Sequence, residues 1–136
     1  MLLVYYGGTL KRFSFPKSRR LISNGQFKAV LAQRRRAGND LLVLYMAEND
    51  CGYSRLGVSV GKSCGGAVVR NRLKRLLREA FRQNQDRIPA GFDYLLMFSP
   101  QWLEKLGKTT ESKKVAQWAT FEQINASFLI LVDKLR

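Results

Sequence analysis

Lys62-Ser63-Cys64-Gly65-Gly66-Ala67-Val68-Val69-Arg70-Asn71-Arg72-Leu73-Lys74-Arg75-Leu76-Leu77-Arg78-Glu79 is the stretch on which the fold turns. A glycine-rich connection, Gly61 to Gly66, runs into the strongest helical pattern of the chain, Ala67 to Gln83. At about 100° per residue, Val69, Leu73, Leu76, Leu77 and Ala80 share one arc of that helix. Arg70, Asn71, Lys74 and Arg78 share another, widened by Arg72, Arg75 and Arg82, with Glu79 the only acid. Like charges four residues apart, as at Arg70 and Lys74 or Lys74 and Arg78, each cost a few tenths of a kcal/mol (~0.3). A helix that carries such pairs without interleaved glutamates points to a polyanion outside the chain, and phosphate backbone is the natural one.

The whole composition agrees. The 136 residues hold 24 Lys and Arg against 10 Asp and Glu, a formal charge of +14. From Lys11 to Arg36 there are nine basic residues and no acid. So large a surplus in so short a chain is self-repulsive unless a partner neutralises it, and nucleic acid fits better than a membrane surface. The absence of histidine removes the commonest general base and metal ligand. Cys51 and Cys64 match no zinc spacing and read as reduced thiols, which suits a cytoplasmic protein. Met1 to Tyr6 is too short for a signal or a membrane span.

The length allows one domain, and the periodicities divide it. Residues 1–16 read as an irregular basic arm, with Gly7-Gly8 and Pro16 as interruptions. Ser23 or Asn24 caps a first helix carrying Phe27, Val30 and Leu31, which Gly38-Asn39-Asp40 closes. Leu41 to Ala47 and Ser54 to Val60 read as strands of a hairpin around a Glu48–Gly52 loop, and a short strand between Arg35 and Asp40 is compatible with the pattern. After the basic helix, Phe92 to Phe98 is a buried strand. Pro100 to Lys114 shows no regular pattern, and a last helix runs from about Trp118 to Leu135 with Phe121, Ile124, Phe128, Leu131 and Leu135 in one stripe. The residues themselves thus predict a small α+β domain of order αββαβα with room for one more strand.

Gly61-Lys62-Ser63 invites comparison with a nucleotide-binding P-loop, but the glycine required five positions earlier is Leu56. Lys62 and the amides around Gly65-Gly66 instead suit an anion at a helix N-terminus. Glu48 and Asp50, the closest acid pair, read as a solvated turn. Cys64 has no histidine to activate it.

The quoted stretch closely resembles the signature of the bacterial ribonuclease P protein family: a lysine, a small loop with glycine, Ala-Val, Arg-Asn-Arg, an aliphatic, Lys-Arg and a further arginine. Arg20-Leu21, Phe27 and Val30, then Arg55 to Val60 and Asp93-Tyr94, extend the resemblance over about residues 17–98. Ser63, Leu31 and Ser99 depart from that pattern. The resemblance implies a single compact αβββαβα domain, residues 17–136, with a left-handed βαβ crossover through the signature helix, against the usual hand. It implies a protein without catalytic residues or a bound cofactor, assisting a catalytic RNA, which with magnesium removes the 5′ leader from precursor tRNA. Lys62, Arg70, Asn71, Arg72, Lys74, Arg75 and Arg78 are the positions carried over for the catalytic RNA. Phe27, Val43, Tyr45 and Ser59 are those for a cleft that takes the single-stranded leader. The resemblance further implies a chain that is monomeric outside the complex and independent of membranes. A structural or ribosomal-type RNA-binding protein is the competing expectation, and a stand-alone metal-dependent nuclease would need convergent carboxylates that the sequence does not offer.

Overall fold

The computed structural model describes residues 2–6, 9–13, 17–108 and 119–136, with side chains for 18–105 and 119–136. Its elements are β1 (Leu2–Tyr6), β2 (Thr9–Phe13), α1 (Asn24–Ala32), β3 (Arg36–Gly38), β4 (Leu42–Glu48), β5 (Arg55–Ser59), α2 (Ala67–Gln83), β6 (Phe92–Phe98), α3 (Pro100–Lys108) and α4 (Phe121–Leu135). One four-stranded sheet, in the order β3-β4-β6-β5, organises the domain. β4 is antiparallel to β3 and β6, whereas β5 runs parallel to β6 and reaches it through α2.

Period-two alternation decides which helix covers which face. Leu42, Leu44 and Met46 of β4 join Leu56 of β5 and Tyr94, Leu96 and Phe98 of β6 on one side. Leu73, Leu77, Ala80 and Phe81 of α2, with Ile124, Phe128, Leu131 and Val132 of α4, close over them. Tyr94 lies between the rings of Phe81 and Phe128, with centroids 6.0 and 6.2 Å away. Each fully buried Leu or Phe here contributes roughly 1.5–3 kcal/mol, so this side carries most of the stability. The opposite face holds a smaller cluster of Leu21, Val30, Ala47 and Leu95, with Phe27, Tyr45 and Met97 packed against it under α1.

Capping explains the helix starts. Ser23 Oγ accepts from Gln26 N while Gln26 Oε1 accepts from Ser23 N, a reciprocal box. Thr120 and Gln123 repeat it for α4.

The structure departs from the sequence expectations at several elements and bears out one. The hairpin expected of Leu41–Ala47 and Ser54–Val60 does not form: the apolar β6 takes the place between β4 and β5 and pairs with both. α1 ends at Ala32, so Gly38-Asn39-Asp40 does not close it. The short strand between Arg35 and Asp40 is present as β3. The 1–16 segment, expected to be irregular, contains an antiparallel pairing of Leu2–Tyr6 with Thr9–Phe13; two β-rich runs separated by Gly-Gly are a hairpin signal. Pro100 to Lys114, read without regular structure, includes α3. Its start is encoded by Ser99-Pro100, where Ser99 Oγ accepts from Trp102 N and proline needs no hydrogen at the first helical position. The final helix begins at Phe121; Trp118, where the sequence placed its start, lies outside the described residues. Cys51 is half-buried, Cys64 is buried, and both are free thiols. Among the described residues no helix is long and apolar enough to cross a membrane.

Candidate nucleic-acid interface

α2 turns its hydrophobic arc into the core and its basic arc outward. Leu73, Leu77, Ala80 and Phe81 are buried. Asn71, Arg72 and Arg75 are exposed, and Arg70, Lys74 and Arg78 are half-buried. Glu79 is committed within the helix to Arg82 and Gln83. Among the described residues, Lys62, Arg70, Lys74, Arg75 and Arg78 form no ion pair with a carboxylate. Their charges therefore remain available to an external polyanion.

The turn before the helix adds to that surface. Lys62 is exposed on a 3-10 turn, Lys62–Cys64, that leads into the N-terminus of α2. Gly65 has φ 130°, a conformation open to glycine, and a Cβ there would press on Val69 at 3.3 Å. The glycine thus fixes how the turn enters the helix. No acid occupies the first turn of α2 and no side chain caps it, so its amide end favours an anion. Burial pushes the Cys64 thiol above its usual value, while hydrogen bonding at Gly61 and the Arg70 charge pull it back in part. The raised pKa favours the neutral thiol, the less nucleophilic form.

Of the four residues expected to line a cleft, Val43, Tyr45 and Ser59 lie on the α1-facing side of the sheet, and Phe27 faces them from α1. Strand register aligns Arg36, Tyr45, Leu95 and Gly57 in one row across it, and Gly38, Val43, Met97 and Ser59 in the next. Phe27 reaches down from α1 onto Gly57, the one position in its row without a side chain. Tyr45 is half-buried with the Arg36 guanidinium 5.9 Å from its ring centroid, and Ser59 is exposed. Val43 is buried at 3% exposure, so it forms floor rather than wall.

Among the described residues, Phe27 and Val43 line different hollows. Phe27 lines a hollow of about 340 Å³ with Arg20, Leu21, Ile22, Val58 and Arg78 at the β5 edge. Val43 lines a different one of about 530 Å³ at the β3 edge, and the two share no residue. The first hollow has an apolar floor and two guanidinium groups. Arg78 is held below its usual pKa first by burial and then by the nearby Arg20 charge. Two cations brought together over an apolar floor suit an unpaired base with its phosphate.

Arg20, Arg36 and Met97 belong to this surface and were not singled out as site residues from the sequence. Arg20 is placed by a parallel bridge to Leu56 and by the Leu21 N–Leu56 O hydrogen bond of 2.9 Å. Only tertiary pairing reveals that, although the acid-free run from Lys11 to Arg36 already marked the region as basic.

A protein-family model described as ribonuclease P matches residues 15–122. The chain belongs to the ribonuclease P protein family. The ribonuclease P protein component of Clostridium kluyveri is 36% identical over 115 residues, covering 85% of this chain and 92% of that relative. The RNase P protein of Thermotoga maritima superposes with a TM-score of 0.69 at 28% identity, over 86% of this chain and 97% of that one. The Staphylococcus aureus RNase P protein gives 0.68 at 26% identity, over 87% and 95%. The mixed α+β fold implied by the ribonuclease P signature is the fold observed.

Proposed function

We propose that this chain is the RNA-binding protein subunit of a ribonuclease P, assisting its RNA partner in removing the 5′ leader from precursor tRNA. The observation that carries the reading is the outward face of α2, where Arg70, Lys74, Arg75 and Arg78 stand without a carboxylate partner among the described residues. In this reading Lys62, Arg70, Asn71, Arg72, Lys74, Arg75 and Arg78 grip the catalytic RNA through its phosphates. Phe27, Val43, Tyr45 and Ser59, with Arg20 added by the fold, receive the unpaired leader. Stacking on an aromatic is tolerant of base identity, which suits a leader of varied sequence.

The protein supplies binding rather than bond cleavage. Magnesium belongs to the RNA-containing holoenzyme, where it serves the hydrolysis of the phosphodiester. Residues 17–136 act as one domain, monomeric until it meets its RNA in the cytoplasm, and residues 1–16 add positive charge to it.

Reconstitution tests the proposal. The purified protein alone leaves precursor tRNA intact, and its addition to the cognate RNA at low magnesium restores 5′ processing. Cleavage by the protein alone, or no effect on the RNA, overturns it.

A further inference from the structure

The second row of the α1-facing sheet, Gly38, Val43, Met97 and Ser59, ends at the β3 edge in the hollow of about 530 Å³. Its walls include Arg36, Asn39, Asp40, Val43, Ser99 and Gln101. Val43 lies two residues from Tyr45 on the same strand face, about 6.7 Å along β4. The hollow therefore continues the Tyr45 surface instead of standing apart from it.

Its chemistry is mixed in a way that suits one class of ligand. Arg36 is exposed and supplies a cation at the edge strand. Asn39 Oδ1 already accepts from Leu41 N and Leu42 N, both at 2.9 Å, so its amide hydrogens are the donors left to a ligand. Ser99 is buried, its Oγ accepting from Trp102 N at 3.2 Å, and it shapes the wall from beneath. Asp40 is an exposed acceptor on the same wall. A free phosphate would be repelled by that carboxylate. A nucleotide carries an anion at one end and amino or imino donors on its base at the other, and it matches both.

We propose that this hollow is a further subsite for an unpaired RNA nucleotide, with Arg36 on the backbone phosphate and the base over Val43 toward the Asn39–Asp40 turn. It rests on the reading above, that the Tyr45 face takes the leader. The leader track then crosses the sheet from the Arg20–Arg78 hollow at the β5 edge to Arg36 at the β3 edge. That width spans three inter-strand steps, about 14 Å.

The test uses the reconstituted holoenzyme and precursor tRNAs with leaders shortened one nucleotide at a time. Arg36→Gln removes the cation. Gln101→Glu places a negative charge in the hollow at an exposed first-turn position of α3, where an acid favours the helix. Each variant lowers affinity about threefold to tenfold for long leaders, the scale of one part-exposed phosphate contact. Arg36→Gln also reduces the salt slope by roughly 0.7. Both keep wild-type affinity once the leader is too short to reach Tyr45 and the hollow, and Gln101→Glu does not lower the unfolding temperature. Losses independent of leader length, or no loss at any length, overturn the subsite while leaving the leader reading intact. Failure of the wild-type protein to favour precursor over mature tRNA overturns the parent reading and this one with it.

Discussion

The ring of Phe27 rests directly on the backbone of Gly57, so closely that a Cβ at position 57 would overlap Phe27 Cε1 and sit 3.1 Å from Leu21 Cβ. This contact joins α1 to the edge strand of the sheet and sets the depth of the hollow beside Arg20 and Arg78. Gly57→Ala is expected to destabilise the fold by about 1–3 kcal/mol, as overpacking does. Urea unfolding measures it. The double variant with Phe27→Ala recovers part of that loss, and additive losses would show that the two residues do not meet.

Asp93 and Arg55 form a bidentate pair on the same side of the sheet, with both nitrogen–oxygen distances 2.7 Å. Asn49 Nδ2 donates to Asp93 Oδ1 at 2.8 Å and to Tyr53 O at 3.1 Å, which ties in the β4–β5 loop. Asp93 raises the Arg55 pKa through this bond. Asp93→Ala leaves a half-buried guanidinium without its partner and is expected to cost about 1–2 kcal/mol, well below a fully buried pair because solvent screens part of the charge. Thermal unfolding reads the loss; a change below half a kcal/mol would assign the pair to solvent-screened surface.

Removing charge from the outward face of α2 should act on RNA binding and not on folding. Arg70→Gln and Lys74→Gln each weaken binding to the catalytic RNA, and each lowers the slope of log K against log salt by roughly 0.7–0.9. A titration at several salt concentrations decides it. An unchanged slope would remove those residues from the phosphate contacts.

Tyr45→Ala should separate substrate from product. Loss of one aromatic platform weakens affinity for precursor tRNA by about 1–3 kcal/mol at most, and leaves mature tRNA unaffected. Equal losses for both would assign the ring to packing alone.

Arg34 follows the C-terminus of α1 with φ 55°, and its amide hydrogen bonds Leu31 O at 3.1 Å. That left-handed position usually belongs to glycine. Arg34→Gly is expected to raise stability by about 0.5–1 kcal/mol, the strain relieved exceeding the added unfolded-state entropy. Chemical denaturation measures the gain, and a net loss would place the arginine in a stabilising contact.

The amino-acid order alone determined the basic helix, its buried arc and its outward charge, because 3.6-residue periodicity and like-charge spacing are local properties. It determined β4 and β6 for the same reason, through runs of apolar residues of strand length. It did not reveal α3, whose Ser99-Pro100 start lies in a stretch with little periodic signal. Tertiary structure alone decided that Arg20 and Arg78 line one hollow and that Arg36 lies in register with Tyr45, Leu95 and Gly57. Those pairings depend on strand order and register, which bring together residues far apart along the chain. A site built across four strands is therefore set by the sheet, whereas the site on one helix was already legible in its residues.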